Sequence, residues 1–331
     1  MNKLLPIALL LGVAGAAQAQ AQVTVYGLID MSYGKNENVS ATDKADFHSG
    51  GDDGSRQGNS ASRVGVKGST DIGSGFKGNF KFETGGITSN GEVNPGGAFF
   101  NRQAWIGGSG SFGEVRLGRQ DSVPFQVMVD FDFNGVANAA SALGNSLIAP
   151  WMAPRSRQSR SLQYISPNYG GLTVQAGFQP EDHTNLATKA NVSVGVKYVT
   201  GPLAVAGAVE TKRTDTGKDF MSVAVSYDLK VVKLMGSYAS SGAVDVTTPA
   251  NGGSGKGLGF GVVAPVAGFN IGAHVGKNTD DNNKRTAVEL FANREILKNT
   301  YAYLDIGRLE DKTPTPSVKN NAYALGVIYV F

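Results

Sequence analysis

The feature that most constrains the fold is an alternation of large apolar residues with small or polar ones, which reaches both ends of the chain. The segment from Gln22 to Asp30 alternates from its first residue, and the segment from Tyr323 runs into the terminal Phe331. A period of two is typical of a β-strand, because successive side chains point to opposite faces. Strand-like ends that enclose many short strands indicate a sheet closed on itself.

The same alternation recurs between the two ends. It is found in residues 76–83, 172–179, 192–198, 221–227, 232–238 and 269–276. One face of each segment is apolar, and the other carries Ser, Gly, Gln, Lys or Ala. Soluble sandwiches also alternate, but here the polar face is small or charged, as a water-filled lumen allows. Aromatic residues lie near the strand ends, where a membrane interface favours them.

Bulk composition excludes several classes of protein. The 331 residues contain no Cys and have a net charge of +3, so neither a disulfide framework nor the basic footprint of a nucleic-acid-binding protein is present. Residues 1–21 resemble a signal peptide, with Lys3 before a short apolar core and small residues at the cleavage site. No later apolar run is long enough for a membrane helix. We therefore expect an exported protein with one domain at 22–331, cleaved before Gln22, with cleavage before Gln20 as the second choice.

The connections between the strand segments alternate in length. Short turns alternate with long polar loops, and eight of each predict sixteen strands of about 9–11 residues, a length that spans a bilayer when tilted. The sequence thus predicts an all-β fold, a 16-stranded antiparallel transmembrane β-barrel.

Several motifs resemble a known family. Residues 23–30, 62–68, 100–107, 112–120 and 157–171, together with the terminal Phe331, resemble strands and turns of the beta-proteobacterial general porins. This resemblance implies a homotrimeric barrel in the bacterial outer membrane, in contact with membrane lipids and lipopolysaccharide, that admits small hydrophilic solutes. It also implies that the third loop, at about 120–156, folds inward and narrows the pore.

Cations on the predicted lumen face suggest how such a pore selects ions. Strand alternation (called parity below) places Arg63 on the same face as Gly65 and Lys67. It places Arg116 on the face opposite Val115 and Leu117. Arg157 shares a face with Ser159, Ser161 and Gln163. Arg102 shares a face with Ala104 and Ile106, opposite Trp105. The resemblance aligns Arg63, Arg102 and Arg157 with a basic cluster facing the third loop.

Further charges surround this predicted cluster. The lumen lysines are Lys77, Lys81, Lys197 and Lys233, and the acids of the third loop are Asp121, Asp130 and Asp132. Unpaired arginines in a narrow pore favour anions, so we expect a weak-to-moderate anion preference. The competing interpretation is that these arginines are merely solvated, or are fully neutralised by Asp30, Glu83 or Glu114.

No catalytic or metal-binding pattern is found. His48, His183 and His274 lack partners at metal-ligand spacing, and we expect all three to be solvated. We therefore predict a protein that is not an enzyme and needs no cofactor or metal. Parity also places Arg160 with Leu162 and Tyr164 on the outer face, where an Arg at mid-bilayer costs roughly 2–4 kcal/mol. Arg160 is therefore expected near the rim or beside a partner.

Two other functions stay open at this point. One is a channel specific for a single anionic nutrient, for which an aromatic ladder along the lumen is the expected signature. The candidate aromatic residues all lie in the third loop: Phe125, Phe131, Phe133 and Trp151. We expect them to pack the loop against the wall. The other is a soluble secreted β-protein or adhesin, because period-two alternation alone also fits a sandwich.

Overall fold

A computed structural model provides the structure of the chain. It describes residues 21–135, 139–143, 156–181, 189–213, 219–241, 255–280, 284–312 and 317–331. The predicted signal peptide, Trp151 and His183 lie outside the described residues.

The architecture is a single antiparallel sheet in which neighbouring strands in sequence are neighbours in space. The strands are β1 (Gln22–Asn36), β2 (Asp46–Ser49), β3 (Arg63–Gly73), β4 (Phe76–Gly85), β5 (Gln103–Gly110), β6 (Gly113–Asp121), β7 (Arg157–Ile165), β8 (Leu172–Gln179), β9 (Asn191–Thr200), β10 (Leu203–Glu210), β11 (Phe220–Asp228), β12 (Lys233–Ser241), β13 (Gly255–Val266), β14 (Phe269–Asp280), β15 (Lys284–Leu297), β16 (Thr300–Asp311) and β17 (Val318–Val330). The short β2 lies in the first loop and pairs with β1. The other sixteen form the wall, which confirms the predicted barrel.

The two ends of the chain close the barrel. Strand β1 pairs with β17 on one side and with β3 on the other. Beyond the last paired strand residues, the backbone N–H of Gly27 donates to the carbonyl of Phe331, and the N–H of Phe331 donates to the carbonyl of Gly27, both at 3.0 Å. A Cβ at position 27 would lie 2.5 Å from the carbonyl oxygen of Arg63 and 2.6 Å from the Phe331 ring. Glycine is therefore required by this close approach.

The two faces of the wall reverse the usual arrangement of a soluble protein. In β11, Val223 and Val225 are 46% and 45% exposed on the outer face, whereas Ser222 and Ser226 are 0% and 3% exposed on the inner face. An outward apolar band around a polar interior is the arrangement of a lipid-facing barrel. Within the described residues, no helix combines the length and the apolar character needed to cross a membrane.

The described part of the third loop, 122–135 and 139–143, packs against the inner face of the wall. It begins with a loop helix (Val123–Met128), whose N-cap Ser122 accepts a hydrogen bond from the backbone N–H of Phe125 at 3.3 Å. A turn (Val129–Phe131) follows. The apolar side chains of this segment meet small inward residues of β10 and β11 and Met235 of β12: Val127, Met128, Phe131 and Leu143 against Ala206, Ala208 and Ala224. The apolar core thus lies between this loop and one part of the wall.

Candidate functional site

A single carboxylate on the inner wall of β4 gathers several cations. Oε1 of Glu83 lies 2.5 Å from Nε of Arg102, and Oε2 accepts a hydrogen bond from the Tyr26 hydroxyl at 2.7 Å. Nζ of Lys81 lies 3.5 Å from Oε2 of the same carboxylate. The Arg63 guanidinium is close enough to interact electrostatically with both Glu83 and Arg102. We call these five residues the Glu83 cluster.

The Glu83 cluster contains more positive than negative charge. Arg63 donates through Nη1 to the carbonyl of Ala61 at 3.1 Å, and no carboxylate of the described residues lies within ion-pair distance of it. Glu83 therefore neutralises part of the charge of Arg63, Arg102 and Lys81. An anion that passes this part of the wall meets a net positive field.

More arginines lie beside the first and second loops. Arg102, Arg119 and Arg157 line a cavity of about 760 Å³. Arg119 donates to the carbonyl of Asn101 at 2.6 Å and to the Ser159 hydroxyl at 2.7 Å. Nε of Arg157 lies 3.2 Å from Oδ1 of Asp121 at the end of β6. Arg102 and Arg157 are also within electrostatic reach of each other, so the cavity continues the positive charge of the Glu83 cluster.

Towards the short turns, the inner wall carries cations against aromatic rings. The Arg116 guanidinium lies 4.6 Å from the centroid of Trp105 and donates to Glu114 at 2.6 Å. Nζ atoms of Lys67 and Lys81 lie 5.3 Å and 5.4 Å from the centroid of Tyr26. Lys77 lies four residues before Lys81 in β4, so the two side chains point to the same face, and Lys77 is exposed. The predicted lumen cations of β3, β4 and β6 thus share one side of the barrel.

The acids of the third loop have different surroundings. Asp121 meets Arg157, as described, and Asp130 forms an ion pair with Lys197 of β9. Asp132 was expected to face the pore, and the structure corrects this. Its side chain is fully buried beside His274, and its Oδ1 accepts a hydrogen bond from the N–H of Asn134 at 3.0 Å. Burial raises the pKa of Asp132 to about 6. Asp132 thus holds the loop to the wall rather than facing solutes.

The expectation of a solvated His274 is wrong for a related reason. The third loop covers this inward-facing residue of β14, which is 1% exposed. Its Nε2 accepts a hydrogen bond from the backbone N–H of Phe133 at 3.3 Å, and its Nδ1 lies 3.3 Å from Oε2 of Glu289. An accepting Nε2 requires a lone pair, so this geometry assigns the proton to Nδ1. His48 is half-buried in the first loop.

A buried polar network extends from His274 around the wall. The Asn134 amide donates to Oε1 of Glu289 at 2.7 Å and to Oδ1 of Asp305 at 2.8 Å. Oδ2 of Asp305 accepts from the Asn59 amide at 2.9 Å. Inward side chains of three wall strands, namely His274, Glu289 and Asp305, hold groups from two loops. We call these three residues, together with Asp132 and Asn134 of the third loop, the loop anchor. The residue pattern did not lead to a prediction of this network, although strand alternation places Glu289 and Asp305 on the inner face.

Strand parity was wrong for β5. Trp105 faces inward and is 7% exposed, whereas Ile106 faces outward and is 61% exposed. Arg102 was placed in the lumen on the face of Ile106, yet it reaches Glu83 from the inner side. The reason is that β5 begins at Gln103, so Arg102 precedes the strand and its direction is not set by strand parity.

Strand β7 departs from its predicted alternation as well. The ladder with β6 shifts register between Gly118 and Gln120, and Arg160 adopts a positive φ of 55° at this irregularity. A bulge of this kind inserts an extra residue and reverses the faces beyond it. Gln158 and Ser161 are consequently both buried inside, at 2% and 0% exposure, although they were expected on opposite faces. Arg160 is exposed, as expected for the outer face.

The aromatic residues of the third loop mostly pack. Phe131 is 1% exposed within the apolar core, and Phe133 packs against the same core and against His274. Phe125 is partly buried in the loop helix. Among the described residues, no group of three or more His, Cys, Asp or Glu side chains is arranged to hold a metal ion.

Comparisons with known proteins agree with this architecture. A profile of the family described as Gram-negative porin matches residues 7–314. An outer membrane porin protein of Bordetella pertussis is 32% identical over 268 residues, covering 71% of this chain and 68% of that protein. Outer membrane porin protein 32 of Delftia acidovorans is 30% identical over 252 residues, with the same coverage of 71% and 68%. A solved anion-selective porin from Comamonas acidovorans has a TM-score of 0.75 at 21% identity, over 94% of this chain and 100% of that one, and shows the same fold.

Proposed function

Because this chain belongs to the Gram-negative porin family of outer-membrane channels, which are not enzymes, we propose that it is a diffusion channel with a preference for anions. Its solutes are small and hydrophilic, and they pass between the third loop and the arginine-lined wall. The preference is weak to moderate, since several of the wall cations are partly neutralised. This family membership also places the protein in the bacterial outer membrane and disfavours a soluble secreted protein.

The observation that carries the proposal is the charge balance of the Glu83 cluster. One carboxylate meets Arg63, Arg102 and Lys81, and Arg63 makes its shortest polar contact with a backbone carbonyl. Guanidinium groups stay protonated at any physiological pH. In a narrow, low-dielectric passage, such an excess lowers the barrier for anions and raises it for cations. The relative described as an anion-selective porin supports the same sign.

The third loop supplies the opposite side of the proposed constriction. Its loop helix is buried against the wall through Val123 and Val127, both 0% exposed. Asp130 carries negative charge on this loop and pairs with Lys197 of β9, and Asp121, at the end of β6, pairs with Arg157 of the neighbouring β7. Negative charge on the loop and positive charge on the arginine-lined wall create a transverse field that orients dipolar solutes. Asp132 does not contribute to this field, because it is buried in the loop anchor.

Assembly and processing complete the proposal. We infer a homotrimer set in outer-membrane lipid and lipopolysaccharide, with the signal peptide 1–21 removed. The outer face is apolar over long stretches, including Val223 and Val225, and this surface suits lipid or a neighbouring protomer. Native mass measurement of the detergent-solubilised protein tests the trimer, and N-terminal sequencing tests cleavage before Gln22.

The reversal potential in a planar bilayer tests ion selectivity. With a tenfold KCl gradient across the membrane, we expect the reversal potential to have the sign of an anion-preferring channel. Arg102→Ser removes one cation of the Glu83 cluster and is expected to move the potential towards zero. A wild-type channel that prefers cations would overturn the proposal. Lys298→Gln, in the exposed turn between β15 and β16, is the matched control and is expected to leave the potential unchanged.

A further inference from the structure

Three carboxylates occupy inward positions of the barrel wall, yet none of them is exposed. They are Asp30 of β1, Glu289 of β15 and Asp305 of β16, each 0% exposed, and we call them the covered acids. The backbone N–H of Asp30 donates to the Ser62 hydroxyl at 3.0 Å, and Ser62 directly precedes Arg63 of the Glu83 cluster. Acids that are open to the lumen at such positions attract cations and offset the charge of the arginines.

The first loop, residues 37–62, covers Asp30 with its backbone. Oδ2 of Asp30 accepts hydrogen bonds from the N–H groups of Asn59 at 2.7 Å and Ser60 at 2.6 Å. Its Oδ1 accepts a hydrogen bond from the Tyr303 hydroxyl at 2.7 Å. Both carboxylate oxygens of Asp30 are therefore engaged by neutral donors inside the wall.

The side chain of Asn59 covers a second acid. Its Nδ2 donates to Oδ2 of Asp305 at 2.9 Å and to Oδ1 of Asn134 at 3.1 Å. The Asn134 amide donates in turn to Oδ1 of Asp305 at 2.8 Å and to Oε1 of Glu289 at 2.7 Å. The N–H of Ala142 donates to Oε2 of Glu289 at 2.8 Å. Two asparagine side chains, one from the first loop and one from the third, thus form a continuous chain of amides over these carboxylates.

Neutral groups, rather than cations, stabilise the covered acids. Within the described part of the chain, the lysines and arginines of the wall pair with other carboxylates, such as Glu83, Glu114 and Asp121. The positive ends of the N–H and O–H dipoles point at the covered acids and oppose their field in the lumen. Burial also keeps permeating cations beyond contact distance, where the attraction is weaker.

We propose that Asn59 is a specificity-determining residue of the channel, because its side chain withholds the Asp305 carboxylate from permeating cations. With the covered acids withheld, permeating ions meet the net positive charge of the Glu83 cluster without an opposing acidic patch. Asn59 is half-buried, so loss of its side chain leaves Oδ2 of Asp305 without this donor and open towards the lumen. The proposal rests on the anion-preferring channel described above, and it adds a selectivity determinant in the first loop.

Four channels test the proposal: wild type, Asn59→Ala, Asp305→Asn and the double variant, each recorded as purified oligomer in a tenfold KCl gradient. Asn59→Ala is expected to lower the anion-to-cation permeability ratio by at most roughly fivefold, the effect of a unit charge about 4 Å from an ion in water. Asp305→Asn alone is expected to change the ratio much less, because the charge that it removes is covered. The double variant is expected to return to the ratio of wild type, because no Asp305 charge is left to expose.

Two further variants control for the loss of an amide. Asn270→Ala removes an amide that bonds to Asn293 instead of an acid, and it is expected to leave the ratio unchanged. Asn59→Gln keeps an amide and is expected to retain more of the wild-type ratio than Asn59→Ala. If Asn59→Ala does not assemble, Asn59→Ser takes its place, because the serine hydroxyl is too short to reach Asp305.

The outcomes separate this role of Asn59 from the channel function. A wild-type ratio in Asn59→Ala would overturn the proposal. A double variant that keeps the full shift of Asn59→Ala would do the same, because the shift would then arise from a displaced loop. A strong gain of anion selectivity in Asp305→Asn alone would show that the acid acts on ions while covered. A cation-preferring wild type removes the proposed function, whereas an anion-preferring wild type with any of the other results removes only the role of Asn59.

Discussion

The Nε2 atom of His274 accepts a hydrogen bond from the backbone N–H of Phe133 at 3.3 Å, and this contact joins the barrel wall to the third loop. A histidine in this role is neutral, with its proton on Nδ1 directed towards Glu289 at 3.3 Å. Asp132 and Asn134 flank Phe133 and bind the same wall. The position of the loop, and with it the width of the pore, therefore depends on a buried polar network.

The amide of Asn134 is the central donor of the loop anchor. Asn134→Ala removes its bonds to Glu289 at 2.7 Å and to Asp305 at 2.8 Å, leaving two buried carboxylates without these donors. We expect a loss of about 1–3 kcal/mol of unfolding free energy and larger current fluctuations in the open channel. Denaturant titration in detergent and single-channel noise measure the two effects.

Asn270→Ala is the matched control for that change. Its amide bonds to Asn293 at an exposed position of the wall. If Asn134→Ala and Asn270→Ala lose the same unfolding free energy and show the same channel noise, the loop anchor does not hold the loop.

The stability of the folded channel should depend on the protonation of Asp132. Burial raises the pKa of this carboxyl from 3.8 to about 6, with His274 and Glu289 facing it from β14 and β15. Because its pKa is higher in the folded state, Asp132 favours folding while protonated, and this contribution is lost as the pH rises through about 6. The thermal midpoint of wild type should fall across pH 4 to 6, and Asp132→Asn should flatten that fall.

Asp228→Asn is the control for this prediction, because Asp228 is exposed at the end of β11 and its side chain accepts a hydrogen bond from the N–H of Lys230. An identical pH profile for Asp132→Asn and wild type would show that Asp132 does not titrate in this window.

The carboxylate of Glu83 limits the anion preference of the channel. Glu83→Gln removes the charge that partly neutralises Arg102 and Lys81 and is expected to strengthen anion selectivity. Unit charges 4 Å apart interact by about 1 kcal/mol in water, which corresponds to a rise of roughly fivefold in the anion-to-cation permeability ratio. Reversal potentials measure this permeability ratio, and Glu295→Gln, at an exposed position, is the control. A shift towards cations contradicts the assigned role of Glu83.

The same charges predict a dependence on ionic strength. The Debye length shortens from about 10 Å at 0.1 M to about 3 Å at 1 M salt. Selectivity that arises from the field of Arg63 and Arg102 should therefore weaken as the mean salt concentration rises at a fixed gradient ratio. Selectivity that is constant over this range indicates a steric filter instead.

Closure of the barrel depends on the absence of a side chain at Gly27. Gly27→Ala places a Cβ 2.5 Å from the Arg63 carbonyl oxygen and 2.6 Å from the Phe331 ring. We expect a loss of about 1–3 kcal/mol through overpacking and a smaller fraction of folded, heat-modifiable protein on gels. Gly108→Ala is the control, because its nearest neighbouring atom would lie 3.7 Å away. Equal folded fractions for the two variants would show that this contact is not limiting.

Much of the fold could be predicted from residues alone. Period-two segments separated by alternating short and long connections led to the number of strands, and the terminal Phe331 indicated where the barrel closes. Parity placed Arg63 and Arg116 on the inner face correctly. It was wrong where a strand begins late, as at Arg102, and where a bulge adds a residue, as at Gln158. Local hydrogen bonding determines both features, and the hydrophobic pattern does not encode it.

The sequence by itself determined which face of each regular strand meets lipid, because a two-residue repeat assigns faces without reference to the rest of the chain. Only the tertiary structure decided which inward residues line the pore and which lie buried. Arg63 and His274 have the same inward parity, yet the third loop covers His274, where it bonds to Phe133, while Arg63 lies in the Glu83 cluster. The physical reason is that burial depends on contacts between residues far apart in the chain, and the sequence of one strand does not show which distant residues will cover it.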